Sequence, residues 1–403
     1  MPTDAADSPR FDAQASARRV WAAYGSGRAD RAPVCPPVPW WPPGNIDQTR
    51  FGDWRDGEDF RRLACLVETC CDVIPPYNPV PYPQVFEPYS YQRFLEAPAE
   101  FVEALPPEKI GPRRMRYATV LHTPRGDLTW VYDADEGVLT RWDIQRPIRS
   151  LEDVDRLLSV PWRFAPPAAA QYEPFRLHRA QAGGLCVGGA HINCMVAMLC
   201  GVMDFELLLE WIITERGAIR ALADAWLERT GCKTAWLLSQ GVGPFWHFNG
   251  IERASPPMMG PRQWEEWVVP YDGEIMRRIK AADTQSRIHV HCHGRVATLL
   301  DSFLAMGVDS LDPLEPPPQG NINLAEARRR AGGRMTLCGN IEFVDMATRS
   351  PDEIEDLVRR TFAEGGTERT ILMPSATPHE VMSERFVANA LRYLEAGMKY
   401  GRR

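Results

Sequence analysis

Long apolar runs are missing from this sequence. None reaches the roughly 18 consecutive residues that a membrane-spanning helix needs, and the longest apolar-looking segment, from Cys194 to Met203, is much shorter. Basic runs are missing too. Against 46 Lys and Arg stand 53 Asp and Glu, a formal net charge of −7. That balance argues against nucleic acid or an anionic membrane as the main partner. The first 30 residues hold no apolar stretch of the signal-peptide kind. The expectation is therefore a cytoplasmic protein whose ten cysteines are reduced thiols, buried or functional. No glycine-rich phosphate loop of the dinucleotide type opens a helix, which weakens a dinucleotide-binding fold.

Proline, by contrast, is plentiful. It supplies 36 of 403 residues, about 9% against a typical ~5%. Its clusters near 33–43, 75–83 and 313–318 imply long fixed loops. Residues 1–30 are polar and read as a loose arm, or as an amphipathic first helix around 15–24. Residues 59–74 show helical apolar spacing at Phe60, Leu63, Val67, Cys70 and Ile74. Cys70 and Cys71 point about 100° apart on such a helix, so they read as core residues rather than a metal pair. Residues 114–148 hold three β-rich runs broken by turn signals, an antiparallel meander.

From Ser150 onward strands and helices alternate. Strand patterns fall near 184–190, before 250, and at 287–293, 308–314, 335–338 and 370–373. Helical patterns fall at 203–229, 263–282 (with Pro270 as a candidate kink), 301–306, 324–331, 351–364 and 383–400. This is the pattern of a parallel sheet covered by helices. A doubly wound sheet and a (β/α)8 barrel both fit. The barrel is favoured because candidate polar residues end several successive strands, where barrels keep their sites. The expected organisation is an arm over 1–30 and one α/β TIM barrel over 31–403 with the meander inserted at about 114–148.

The chemistry concentrates in Arg287-Ile288-His289-Val290-His291-Cys292-His293-Gly294. On a strand, Arg287, His289, His291 and His293 share one face, and Ile288, Val290 and Cys292 share the other. Gly294 ends the strand, which puts His291 and His293 nearest the C-terminal mouth. A His-x-His pair can place two imidazoles on one metal; hydrogen-bonded interior polar residues are the plainer account. The next strand leads to Glu315, a candidate metal ligand, orienter of His293 or general acid/base. Asn340 follows Gly339 at the following strand end and offers a hydrogen bond to a ligand. His379 lies in the loop after the last strand. Trp246, His247 and Asn249 end an earlier strand and could wall a substrate pocket or fill the core. Arg287 or Arg295 could hold a substrate carboxylate.

These strand ends resemble the uroporphyrinogen decarboxylase superfamily, which includes porphyrin decarboxylases and zinc-dependent methylcobamide:coenzyme M methyltransferases. The resemblance runs from about Thr123 to Gly401. It rests on TPRGDLTWVYDADEGVLTRWDIQRPIRSLEDVDRLL, HCHG, LEPPPQGNINLAEARRRAGGRMTLCGNIE and ILMPSATP followed by SERFVANALRYLEAGMKYG. It implies a single (β/α)8 barrel. It also implies that His291 matches the histidine of the methyltransferases' His-x-Cys-Gly zinc motif, with His293 in place of the cysteine. Their second cysteine follows Pro-Gly at the last strand, where this chain has Pro374-Ser375-Ala376. Glu315 stands where cobalamin-independent methionine synthase carries a glutamate near its metal. The implied ligand set is His291, His293 and Glu315 on zinc, with His379 or water to complete it. The Arg-Gln-Ala-Gly-Arg motif of true porphyrin decarboxylases is absent from CPPVPWWPPGNIDQTRFG, which argues against a substrate with many carboxylates. Asn249-Gly250 also replaces the acidic residues common at that strand end.

Three functions follow as expectations. The first is metal-dependent methyl or alkyl transfer to a small molecule, with a corrinoid protein as possible partner. The second is a decarboxylase or other lyase acting on a small aromatic or heterocyclic acid, with His291 or His293 as general acid. The third is a non-catalytic binding barrel. The resemblance makes a homodimer plausible.

Overall fold

A computed structural model of the chain describes residues 11–37, 40, 57–74, 83–85, 94–136, 141–375 and 383–403. The strands, in chain order, begin with β1 (Gln84–Val85). The chain then builds an antiparallel unit from β2 (Val102–Ala104), β3 (Glu108–Lys109), β4 (Arg114–Leu121), β5 (Leu128–Asp135) and β6 (Arg141–Gln145). It returns as β7 (Gly189–Asn193), β8 (Phe245–Asn249), β9 (Arg287–His291), β10 (Ser310–Asp312), β11 (Thr336–Cys338) and β12 (Thr370–Ile371).

The second group pairs in parallel in the order β1-β7-β8-β9-β10-β11-β12. Parallel neighbours need a crossover each, and helices supply it. Leu372, just past β12, makes a parallel bridge to Val34, and the Val34 carbonyl accepts from the Asp72 N–H at 2.8 Å. The sheet thus curves from its last strand back to the N-terminal segments, and the architecture is that of a (β/α)8 TIM barrel. Strand β9 ends at His291, two residues short of the expected 293; its Ile288 and Val290, and Cys292 just past it, are fully buried, as the alternation requires. The antiparallel unit is larger than the meander read over 114–148, because β2 and β3 add to β4.

Several local expectations change. The helical stretch over 203–229 is two helices, Phe205–Thr214 and Arg216–Ser239, parted at Glu215. The pattern over 263–282 also divides, into Pro261–Trp267 and Asp272–Ala282. Pro270 lies between them and has no N–H to continue the ladder. The helix near 59–74 stops at Cys70, so Cys71 is extended and buried.

Of the two readings of residues 1–30, a loose arm or an amphipathic first helix around 15–24, the structure shows the helix where the segment is described. Asp12 caps a helix, Ala13–Ala23, whose Val20, Trp21 and Ala23 are buried. The Trp21 indole N–H donates to the Cys186 carbonyl at 3.0 Å, and Thr336 Oγ1 donates to the Ala23 carbonyl at 2.8 Å. Trp21 and Tyr24 both pack on Phe245, with centroids 5.3 and 5.1 Å away. This helix closes the N-terminal end of the barrel. A charged cluster clamps it. Asp72, with no exposed surface, accepts from Arg19 at 3.2 Å, from Arg31 at 2.5 Å and from the Val34 N–H at 2.9 Å.

Candidate active site

Strand register stacks the interior in layers. His191 of β7, His247 of β8, His289 of β9, Ser310 of β10 and Thr336 of β11 are successive cross-strand partners. His191 and His247 meet through their Nδ1 atoms at 3.0 Å. His289 Nδ1 lies 2.7 Å from Ser310 Oγ, which lies 2.6 Å from the Tyr24 hydroxyl. Burial opposes a charged imidazole. It holds His191 and His289 down at about 4 and His247 well below the usual value. This layer is a floor of neutral, hydrogen-bonded imidazoles. The expected substrate contacts His247 and His289 belong to that floor, at 2% and 0% exposure, rather than to the open cleft.

The layer above it carries more reactive groups. His291 Nδ1 is 2.9 Å from Asp312 Oδ2, its partner in register on β10. Two residues on, His293 Nδ1 is 2.7 Å from Glu315 Oε1. The two rings are perpendicular, with centroids 4.6 Å apart. One carboxylate therefore orients each histidine, and the carboxylates come from the neighbouring strand and the turn after it. Burial lowers the His293 pKa, but the hydrogen bond and charge of Glu315, aided by Asp312 and Glu252, outweigh it and raise the value above normal. Glu315 is 5% exposed, and its Oε2 accepts from the Gly294 N–H at 2.6 Å. A Cβ at Gly320 would lie 1.9 Å from the Glu315 carbonyl oxygen, so glycine there lets the proline-rich turn fold tightly beneath the carboxylate.

Glu342 completes the rim. Ser375 bridges to Ile341 through its backbone N–H and donates its hydroxyl to Glu342 Oε2 at 3.0 Å. Burial, reinforced by the nearby charge of Glu315, pushes the Glu342 carboxyl up to about 7.

Other sequence-nominated residues lie elsewhere. Trp246 is fully buried on the outward face of β8 and donates to Ser286 Oγ at 3.1 Å. Arg287 starts β9 at the closed end, donates to the carbonyls of Gln285 and Ser286, and covers Trp21 at 5.2 Å. It therefore faces away from the mouth and cannot hold a substrate there. Asn340 Oδ1 accepts from Thr361 Oγ1 of the helix Pro351–Gly365 at 3.0 Å, which turns the amide toward that helix. Asn249 ends β8 half-buried beside Asn193. Arg295 is exposed just past Gly294. His379 lies outside the described residues.

The zinc triad implied for His291, His293 and Glu315 is not assembled. Both Glu315 oxygens are engaged, one by His293 and one by Gly294. Cys292 is buried on the opposite face, and burial pushes its thiol up. Among the described residues no group of three or more His, Cys, Asp or Glu is placed to hold a metal ion. The residues present do not fit the thiolate-poor metal site that the resemblance implies.

Sequence reasoning passed over His191, Asp312 and Glu342. His191 becomes visible only through register, as the cross-strand partner of His247. The signal for Asp312 was its alternation with Ser310 on a buried strand.

Polar side chains converging at the C-terminal ends of parallel strands define the kind of site that TIM-barrel enzymes use. Residues 140–396 match the uroporphyrinogen decarboxylase (URO-D) family. The chain belongs to that family, whose members and structural neighbours are enzymes. Uroporphyrinogen decarboxylase 1, chloroplastic, of Oryza sativa subsp. japonica is 26% identical over 139 residues, 33% of each chain. The chain thus spans about a third of the length of that curated relative. A methyltransferase from Methanosarcina mazei is similar in fold, with a TM-score of 0.52 and 13% identity over 96% of this chain and 98% of that one. A B12-independent methionine synthase from Shewanella sp. W3-18-1 aligns over 74% of this chain and 76% of that one, at a TM-score of 0.37 and 10% identity. Among the described residues no helix is long and apolar enough to cross a membrane.

Proposed function

We propose that this URO-D-family barrel is a lyase that decarboxylates a small aromatic or heterocyclic acid. The observation that carries this reading is the His293–Glu315 pair at the mouth, 2.7 Å apart. With Glu315 accepting from Nδ1–H, the other ring nitrogen of the imidazolium holds the proton to be given. That proton goes to the ring carbon bearing the carboxylate. The carbon–carbon bond breaks, its electron pair forms the new C–H bond, and carbon dioxide leaves. Glu342, protonated below about 7, supplies a second acidic hydrogen next to Ser375.

Both acids act in their protonated forms, so activity is expected to fall as pH rises. Glu342→Gln keeps an acceptor for Ser375 but cannot ionise. In this variant the part of the alkaline fall in kcat that Glu342 contributes should vanish and leave the part set by His293, as read from paired pH–rate profiles. Turnover of aromatic acids should survive dialysis against a chelator. Loss of activity that zinc restores, together with methyl transfer from a corrinoid protein, would overturn this reading in favour of metal-dependent methyl transfer.

A further inference from the structure

A cavity lies away from the mouth, beside the start of β7. It has a volume of about 720 Å³, within the range of small-molecule sites. Its floor includes Phe175, which rests against Gly188, the residue before β7. Its walls are aromatic. Trp236 meets Tyr172 edge-on at 4.8 Å and Phe164 at 6.1 Å. Trp162, half-buried, lines the same space and is backed by the Arg229 guanidinium 5.6 Å from its ring.

The polar groups are few and placed. Lys233 pairs with Glu96 inside the cavity, each side chain less than a fifth exposed. Arg163 and Glu100 line the same space and are exposed. The formal charges of these four cancel, and Arg229 behind Trp162 leaves the surroundings net positive. One anionic group is matched there and a second is not. The backbone supplies an independent observation. Leu95 and Glu96 have left-handed φ values of 50° and 60°, which non-glycine residues rarely adopt. Arg229 donates to the Leu95 carbonyl and Lys233 to the Glu96 carboxylate, so two largely buried cations hold the strained pair at the cavity wall. Strain fixed in this way is found at ligand clamps.

We propose that this cavity is a second ligand site, separate from the mouth, for a flat aromatic ring carrying one carboxylate. The ring packs among Trp162, Phe164 and Trp236, and the carboxylate meets Arg163 or Lys233. The proposal is independent of the reaction assigned to the mouth.

Titration of the full chain with 2-naphthoate, followed by tryptophan fluorescence and calorimetry, tests it. Saturable binding is expected with a Kd below about 1 mM, and 2-naphthamide should bind several-fold more weakly. Trp236→Ala should weaken binding about tenfold or more. Phe164→Ala, on a half-buried side chain, serves as a second variant should the first fail to fold. Arg163→Glu should also weaken binding, and His293→Ala should leave it unchanged. Absence of saturable binding would overturn the proposal. So would binding abolished by His293→Ala and retained in the folded Phe164→Ala variant, which would put the ring in the mouth. A dimer sealed over this face that takes up no naphthoate would identify an interface between copies and overturn it too.

Discussion

His293→Ala is expected to lower kcat by about 10²- to 10⁴-fold, the usual worth of a positioned general acid. KM should change little, because the proton moves only in the transition state. The fold should be unaffected. The His293 side chain is 36% exposed, and Glu315 keeps its bond from the Gly294 N–H when the imidazole is gone. Glu315→Gln makes a finer test. It preserves shape and removes the charge that raises His293, so the pKa drops toward its ordinary value. The protonated form then disappears at lower pH, and the alkaline limb of the pH–rate profile moves to lower pH. Paired profiles of the wild type and Glu315→Gln, with circular dichroism on each variant, check this. Undiminished turnover in His293→Ala would sink the mechanism.

Asp72→Ala is expected to produce the largest loss of stability, about 3–5 kcal/mol. The effect comes less from the lost attraction than from what remains. Arg31 is 7% exposed and would stay buried without its carboxylate, while the Val34 N–H would lose its acceptor. A loss of this size is a large part of the roughly 5–15 kcal/mol that holds a typical domain folded. The midpoint of urea unfolding should drop clearly, and proteolysis should release the first helix earlier than in the wild type. An unchanged midpoint would show that Arg31 finds another partner.

The alternating strand was the most readable part of the sequence. Four polar residues on one face and three apolar ones on the other, ended by glycine, are enough to orient β9 and set its histidines along the interior. What the alternation leaves open is depth. His289 and His291 sit two residues apart on the same face, yet one belongs to the sealed floor and the other borders the cleft. That difference depends on Tyr24 and Ser310, contributed by segments far away in the chain. The partner of His291 was similarly hidden. Asp312 meets His291 because β10 pairs with β9 in one particular register, and a one-residue slip would have turned it outward. Glu315 reads from the sequence as ligand, orienter or general acid/base, and its two hydrogen bonds favour the orienting role. The first helix showed amphipathic spacing, but nothing within residues 13–23 indicates that their apolar face fits the base of a barrel.

That helix also bears on how the chain comes to be folded during its own synthesis. Ala13–Ala23 leaves the ribosome well before the segments that seat it. Its seat is built from Cys186, Phe245, Ser310 and Thr336, and its bond to Thr336 spans 313 residues of sequence. Trp21 and Tyr24 must therefore wait, without their final partners, until most of the chain has been translated. Contacts between such distant segments form slowly, and an apolar helix face left waiting invites aggregation. Nascent chains arrested before residue 310 should expose that face, and chains arrested beyond residue 336 should begin to bury it.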